Sequence, residues 1–317
     1  MAARARYAPD RGLTARMTAT MFLLGLVFVA FVAAIIGIGA AYHASSAGIA
    51  LIAIVLAGGF AIGSFFYSDK IALRTAGAVE VTREQAPRLH GIVDRVCALA
   101  DMPKPRVAIA RTDLPNAFAT GRNADKAVLC VTTGLMSKLE NDAELEGVIA
   151  HEMSHVAHKD VQVMTIASFL AIVAALLIRI AFYGELFGGG RRDNSNQNAL
   201  PIWLILMLVS VIVYAVSFLL IRLLSRYREL SADRSGALLT GQPSALKSAL
   251  VKVTGDIAKI PTRDLRTAEP LNAFFFAPAM HLSGGSGLAN IFSTHPSLER
   301  RMAELDKVQQ QLNRTAG

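Results

Sequence analysis

The chain has 317 residues, of which 53% are hydrophobic and only 18% are charged, and its mean hydropathy is +0.42. An ordinary water-soluble domain is about 45–50% apolar, so this composition argues against one and favours insertion into a membrane. The net charge of +8 would suit nucleic acid, but the basic residues border apolar runs instead of forming one tract, so we expect no nucleic-acid partner. The two cysteines, Cys97 and Cys130, lie far apart without CxxC spacing. They indicate ordinary reduced thiols rather than a disulfide framework or a thiolate metal site.

The first predicted elements are a cytoplasmic tail at residues 1–17 and a hairpin of two transmembrane helices at residues 18–68. No Asp, Glu, Lys or Arg occurs in residues 17–68, which leaves room for two spans of about 20 residues each. A cleaved signal peptide is the alternative for the first apolar run, because basic residues precede it. A second apolar run follows at once, however, and the apolar region of a signal peptide is only about 7–15 residues long.

Residues 69–160 are predicted to form the first part of a cytoplasmic protease domain. Apolar residues at helical spacing in residues 83–99 predict a helix with one buried face. Two β-like runs follow at residues 107–110 and 127–132. A loop is predicted between them from its turn-forming residues, which are Pro115, Gly121 and Asn123.

Two more transmembrane helices are predicted at residues 161–183 and 200–222, joined by an outer loop at residues 184–199 that is rich in Gly, Asn and Ser. With the N-terminus inside, four spans place residues 69–160 and 223–317 on the cytoplasmic side. The basic residues that follow the second and fourth spans fit the excess of Lys and Arg in cytoplasmic segments. They are Lys70, Arg74, Arg83, Arg88, Arg222, Arg226, Arg228 and Arg234.

The second part of the protease domain is predicted at residues 223–317. Helices are expected at residues 232–241, at residues 244–257 and from Ser297 onward. The irregular stretch between them contains three consecutive phenylalanines at residues 274–276. This cluster is either a mobile lid over a cleft or part of the core.

The chemistry of the sequence centres on an HExxH motif formed by His151, Glu152 and His155. Asn141, with Glu144 three residues later, predicts the start of the helix that carries the motif. Residues four apart share a helix face, so both imidazoles can bind one metal ion with Glu152 beside them. Zinc hydrolases need this arrangement of neutral imidazoles, an open position for water and a carboxylate base.

Two candidates exist for a third protein ligand. His158 lies about two helical turns from His151, too far for three rings to meet one ion on a straight helix, and is expected to be a helix-surface residue. Glu229 and Asp233 share a helical face, which suits a ligand and a carboxylate that orients a ligand imidazole. The alternative is a surface carboxylate pair that faces the nearby arginines.

The predicted membrane topology favours Glu229. If the HExxH helix continues into the third span and the Glu229 helix continues out of the fourth, His155 and Glu229 lie about 9 and 12 Å beyond the bilayer at 1.5 Å per residue. The two spans are antiparallel, so both residues emerge on the same side at similar height. We therefore expect the two helices to meet just above the cytoplasmic surface.

The chain resembles the HtpX family of bacterial membrane zinc proteases, which are relatives of the CAAX prenyl proteases. The resemblance covers nearly the whole chain. It rests on the N-terminal hydrophobic hairpin, the HExxH helix and four short motifs. These motifs are PNAFATG at residues 115–121, TGL at residues 133–135, ELSAD at residues 229–233 and STHP at residues 293–296. Relatives often carry an aromatic residue where this chain has Leu230 and Ser231.

This resemblance implies that His151, His155 and Glu229 bind one Zn²⁺ ion per chain and that Glu152 is the general base. The expected fold is a mainly α membrane protein with four hydrophobic helices and a cytoplasmic α+β protease domain of the zincin-like (gluzincin) type. The resemblance also places His295 near the site.

Three further features of the sequence each allow two interpretations. His295 either donates a hydrogen bond to the oxyanion or flanks the N-terminus of the last helix. Arg301 either pairs with Asp233 or has no partner. The strand edge at residues 116–118 and 129–132 either binds an extended substrate by backbone pairing or belongs to the core, which is the expectation for the side chain of Phe118.

The expected function is hydrolysis of damaged or misfolded membrane proteins at the cytoplasmic face of the bacterial inner membrane, as part of quality control under stress. The expected partners are membrane-protein substrates and the lipid bilayer, and the sequence gives no oligomeric state. Dedicated processing of one membrane partner is a second hypothesis. A non-proteolytic membrane scaffold with a structural metal is a third, although a structural site has no use for the base Glu152.

Overall fold

The computed structural model describes residues 11–41, 46–187, 201–257 and 295–316, and the structural statements below concern these residues. The helices are α1 (Arg11–Ala41), α2 (Ser46–Phe66), α3 (Ser68–Thr75), α4 (Pro87–Ala100), α5 (Thr133–Lys138), α6 (Asp142–Ala157), α7 (Asp160–Phe187), α8 (Ile202–Thr240), α9 (Pro243–Ile257) and α10 (Leu298–Ala316). The strands are β1 (Ala78–Glu80), β2 (Arg106–Ala110), β3 (Ala117–Thr120) and β4 (Val128–Thr132). The predicted irregular stretch with residues 274–276 and most of the predicted outer loop lie outside the described residues.

The chain divides into two units. One unit draws on residues 1–17, 65–162 and 225–317, and the other on residues 18–64 and 163–224. The first unit holds the sheet and the HExxH helix, and the second holds the long apolar helical segments. The domain boundaries derived from the sequence stay predictions.

Apolar helices make up the second unit. Among the described residues, three helical segments are long and apolar enough to cross a membrane, namely Arg11–Ile38, Asp160–Tyr183 and Ile202–Thr240. A fourth is reached if Ile54–Phe66 and Ser68–Thr75, which are bent by 71°, form one span. Large apolar side chains such as Phe22, Phe60, Ile166 and Ile212 are exposed on these segments, as a lipid-facing surface requires.

The sheet of the first unit has the strand order β1-β2-β4-β3. β2 and β4 are parallel, while β1 and β3 pair with them antiparallel at the two edges. The loop predicted between the two β-like runs is wrong for Ala117–Thr120, which form the edge strand β3, whereas a strand edge was among the expectations for residues 116–118. The strand has only four residues, and Ala117, Phe118 and Thr120 are all buried. Its sequence therefore lacks the alternation of apolar and polar residues by which a strand is recognised.

Helices cover both faces of this sheet. The main core cluster lies between one face, with Leu129 and Val131 of β4, and the helices α4, α6, α9 and α10. The side chains of alternate strand residues, including Cys130 and Phe118, face the opposite way and pack with Ala72 of α3. Burial of Phe118 agrees with its expected place in the core. Together with the apolar helices, this mixed sheet confirms the predicted fold class.

The start of α6 follows the sequence only in part. The side chain of Asn141 accepts a hydrogen bond from the backbone N–H of Ala143, as an N-cap residue does. Glu144 does not complete a capping box. Its carboxylate instead accepts hydrogen bonds from Ser248 and Lys252 of α9, which ties the two helices together.

The end of α6 corrects the prediction that the HExxH helix continues into the third span. α6 ends at Ala157, Lys159 has φ 57°, and a new helix begins at Asp160. A non-glycine residue in the left-handed region stops an α-helix and reorients the chain that follows. The break therefore separates the HExxH helix from α7.

Candidate metal centre and active site

The two imidazoles of the HExxH motif lie together on one buried turn of α6. The ring centroids of His151 and His155 are 4.9 Å apart with an interplanar angle of 86°. His151 is fully buried and the His155 side chain is 13% exposed. Because the residues are four apart on a regular helix, the backbone alone brings their rings to one side.

Glu229 of α8 meets both imidazoles. Its Oε1 lies 3.4 Å from Nε2 of His155, and its Oε2 lies 3.7 Å from Nε2 of His151. His151, His155 and Glu229 each offer a ligand atom within 4.8 Å of the others. Among the described residues this group has the composition and spacing of a metal site.

The donor set fits zinc. Ligand atoms held tetrahedrally at about 2.0–2.2 Å from a zinc ion lie about 3.4 Å from one another. Oε1 of Glu229 lies 3.4 Å from Nε2 of His155, which is this value, and one ligand atom from each of the three residues lies within 4.8 Å of the others. Two nitrogens and one carboxylate also leave a fourth position for water, as in catalytic zinc sites.

A close approach between helices brings α8 to this position. A Cβ atom on Gly236 would lie 2.9 Å from the backbone nitrogen of His151, which is closer than real Cβ atoms approach other atoms. Gly236 therefore allows the backbone of α8 to pack directly on that of α6, next to the first imidazole. Any larger residue at this position would push the two helices apart.

Asp233 lies one helical turn beyond Glu229 and reaches His151. Its Oδ1 is 2.9 Å from Nδ1 of the imidazole. Arg301 of α10 holds this carboxylate with two hydrogen bonds, of 2.7 Å from Nε and 2.6 Å from Nη2. Both partners are buried, so of the two outcomes left open by the sequence Arg301 pairs with Asp233.

The partners of His151 determine its protonation in the metal-free protein. Burial alone lowers the pKa of the imidazole, but contacts with Asp233 and Glu229 outweigh it and raise the pKa to about 9. A proton therefore competes with a metal ion for this side chain at neutral pH.

Asp160 is a neighbour of the site that sequence reasoning missed. Its Oδ2 lies 2.5 Å from Nδ1 of His155 and 2.8 Å from Nη2 of Arg228, and the residue is buried. On a continuous helix, a residue five positions after His155 faces away from it, so the helical pattern gave no reason to consider Asp160. The only signal was a carboxylate directly ahead of the third apolar segment.

Glu152 is buried beside the imidazoles, next to the edge strand β3. The backbone N–H of Ala119 donates a hydrogen bond of 3.3 Å to its Oε2. Burial raises the pKa of Glu152, and the two imidazoles and this N–H only partly oppose that effect. A carboxylate with a raised pKa is a stronger base than a solvent-exposed one.

His295 lies in the site, next to Glu229. Its Nδ1 is 3.0 Å from Oε2 of Glu229, and the residue is 6% exposed. The structure thus brings His295 to a proposed metal ligand, while its role towards an oxyanion stays a prediction. His158 is the residue after the last turn of α6 and lies outside the group of possible ligands in the described part of the chain.

Comparisons with known proteins place this geometry in context. A sequence profile of peptidase family M48 matches residues 83–309. The protease HtpX homolog 1 of Streptomyces coelicolor is 55% identical over 309 residues, which are 98% of this chain and 97% of the relative. The protease HtpX homolog 2 of Methanosarcina mazei is 51% identical over 304 residues, 96% of this chain and 98% of the relative. The protease HtpX homolog of Moorella thermoacetica is 48% identical over 310 residues, 98% of each chain.

A solved structure has a similar fold. The crystal structure of S. mikatae Ste24p aligns with a TM-score of 0.51 and covers 94% of this chain and 67% of that one. The sequence identity is 17%, so this likeness concerns the fold alone.

Proposed function

Because this chain belongs to peptidase family M48 and is a membrane metalloprotease, we propose that it uses zinc to hydrolyse damaged or misfolded membrane proteins at the cytoplasmic face of the membrane. The proposed ligands are His151, His155 and Glu229, and the proposed base is Glu152. The observation that carries the proposal is the convergence of these three ligand atoms within 4.8 Å, with the buried carboxylate of Glu152 beside them.

The mechanism assigns one task to each group of residues. His151, His155 and Glu229 would hold the zinc ion, which would supply a Lewis acid able to lower the pKa of water to about 7 and to polarise a carbonyl. Glu152 takes the proton of the attacking water on a carboxylate oxygen and passes it to the leaving amine nitrogen. Asp233 and Arg301 keep the imidazole of His151 oriented. His295, held against Glu229, is a candidate hydrogen-bond donor to the oxyanion.

Among the described residues β3 is an edge strand of the sheet, and such an edge suits an extended peptide. Phe118 pairs with Cys130 of β4, and the carbonyl of Asn116 accepts a hydrogen bond from the N–H of Thr132. The alternation of antiparallel pairing then turns the backbone groups of Ala117 and Ala119 away from β4, as the bond from Ala119 to Glu152 also indicates. A substrate strand paired with this edge would lie next to the base without requiring a particular sequence.

The proposed side of the membrane rests on charge. Basic residues follow the second and fourth apolar segments, and segments with such an excess of Lys and Arg stay in the cytoplasm. The two stretches of this unit that supply the proposed site, residues 65–162 and 225–317, adjoin these flanks along the chain. We therefore propose that the site faces the cytoplasm, from a multi-pass position in the bacterial cytoplasmic membrane.

The proposal is tested by measuring zinc content and proteolysis on the same purified variants. Glu152→Gln should retain zinc, because the residue is not a ligand, and lose about 10²–10⁴-fold in cleavage rate, because the base is removed. Glu229→Gln should lower zinc occupancy as well as activity. The exposed variant Glu84→Gln is the matched control and should change neither. Cleavage by Glu152→Gln at the rate of the unchanged protein would contradict the mechanism.

The alternatives differ in substrate range. Quality control requires cleavage of several unrelated unfolded membrane proteins, whereas a dedicated processing enzyme cuts one. Purified enzyme offered a panel of such proteins in detergent separates the two, and cleavage of a single member would favour processing. A metal-binding scaffold would cut none of them.

A further inference from the structure

The carboxylate of Asp160 lies between the imidazole of His155 and the guanidinium of Arg228. Its Oδ2 is 2.5 Å from Nδ1 of His155 and 2.8 Å from Nη2 of Arg228. The residue is 2% exposed, so the two contacts are made out of bulk water. Hydrogen bonds between charged partners are shorter and stronger than neutral ones, and a dry environment strengthens them further.

This contact depends on the break between α6 and α7. In an unbroken helix the fifth residue after His155 lies about 140° round the axis, since each residue turns the helix by about 100°. The left-handed conformation of Lys159, with φ 57°, folds the chain back so that Asp160 comes beside the imidazole. A backbone conformation that is unfavourable for a non-glycine residue is thus kept at this point, next to the proposed metal centre.

The contact fixes which nitrogen of His155 faces the centre. An ionised carboxylate only accepts hydrogen bonds, so Nδ1 of the imidazole carries the proton. Nε2 then presents its lone pair, and this is the atom that lies 3.4 Å from Oε1 of Glu229. The opposite tautomer would place a proton where a metal ion has to bind.

His151 has a corresponding set of partners. Asp233 contacts its Nδ1, and Arg301 holds Asp233. The two sets come from different parts of the chain, because Asp233 lies on α8 with Glu229, whereas Asp160 begins α7. Each imidazole thus has its own carboxylate, and each carboxylate its own arginine.

We propose that Asp160, held in place by Arg228, is a positioning residue that sets the tautomer and orientation of His155 for metal binding. This inference rests on the proposed function, since it assumes that His155 is a metal ligand. It predicts that Asp160 acts on metal affinity as strongly as the carboxylates that orient ligand imidazoles in zinc enzymes.

The test is the zinc affinity of the full-length protein in detergent, stripped of metal and titrated with zinc against a competing chelator. Asp160→Asn keeps the shape of the side chain but removes its charge, and should raise the dissociation constant for zinc about 10–100-fold. The visible absorption of the Co²⁺-loaded variant should also change, because it reports the ligand geometry. Asp142→Asn, the same substitution on the exposed first residue of α6, should leave both unchanged.

Arg228 provides a second pair of variants. Arg228→Gln should weaken zinc binding about tenfold, because the carboxylate loses the group that holds it, while Arg228→Lys keeps the charge and should restore most of the affinity. A purely structural ion pair would instead lower the midpoint of thermal unfolding and leave zinc affinity unaltered.

Two outcomes overturn the inference and are distinguishable. Wild-type zinc affinity in folded Asp160→Asn would remove the positioning role but leave the proposed function intact. Failure of the unchanged protein to bind zinc at all would remove the proposed function, and the inference with it.

Discussion

At the scale of single residues, the candidate centre consists of charges that compensate one another out of water. Glu152, Glu229, Asp160 and Asp233 are all buried. Two arginines and three imidazoles surround these carboxylates. Isolated charges at this depth would be strongly unfavourable, so the arrangement is stable only as a complete set.

The protonation of His151 leads to a prediction for metal binding. The pKa of this imidazole is raised to about 9 in the metal-free protein, so at lower pH a proton must leave before the metal binds. Because zinc binding releases this proton, we expect zinc affinity to rise about tenfold per pH unit up to about pH 9. Above that pH His151 is already neutral, so this residue should add no further pH dependence. Titration of zinc against a chelator between about pH 7 and pH 10 measures this.

The variant Asp233→Asn serves as the control for this pH dependence. It removes a carboxylate that raises the pKa of His151, so the plateau should move to lower pH. Zinc affinity that is independent of pH below about 9 would contradict the assignment of His151.

At the scale of secondary-structure elements, the centre is set by one close helix contact and one helix break. Gly236 lets α8 lie against α6 at His151. The turn at Lys159 ends α6 and begins α7 with Asp160. The first feature places Glu229 and Asp233, and the second places Asp160.

The helix break gives a prediction for stability. Lys159→Gly should leave the free energy of unfolding unchanged or raise it by up to about 1 kcal/mol, because glycine adopts positive φ without strain. Lys159→Val should lower it by about 1–2 kcal/mol. Thermal unfolding in detergent measures both. In the middle of α10, Lys307→Gly should instead destabilise the protein by about 1 kcal/mol; equal losses at the two positions would argue against the strained turn.

At the scale of the whole molecule, the candidate metal centre is built from two distant stretches of chain. Residues 65–162 supply the HExxH helix and the sheet, and residues 225–317 supply Glu229, Asp233, His295 and Arg301. Of the other unit, residues 163–224 lie between these stretches in the sequence, and residues 18–64 precede the first stretch. The topology of those segments therefore determines the side on which both stretches emerge.

Labelling of single cysteines tests the proposed side. Cys97 and Cys130 are buried, and burial raises the pKa of their thiols to about 11 and about 12, so both should react slowly with maleimides. An impermeant maleimide should label Ser195→Cys, in the predicted outer loop, in intact spheroplasts. Glu84→Cys should be labelled only after the membrane is permeabilised. The reverse pattern would place the metal centre outside.

The sequence predicted the features that are encoded locally. The apolar segments, the capped helix with His151, Glu152 and His155, and the resemblance to the HtpX family depend on composition, spacing and short motifs, and family membership is confirmed. The placement of Glu229 and Asp233 on one face of a helix followed from their spacing alone. Their roles at a metal ion stay predictions, although the structure brings all of these side chains together.

Tertiary structure decided the partners of these residues. Asp233 and Arg301 are 68 positions apart, and His295 and Glu229 are 66 apart, so no local pattern connects them. Asp160 was missed because its contact with His155 requires a left-handed residue that helical periodicity does not reveal. Local sequence determined which side chains carry the chemistry, because spacing on one helix fixes their common face. Packing between helices determined what holds those side chains in place, because that depends on where each helix ends and how closely two backbones approach.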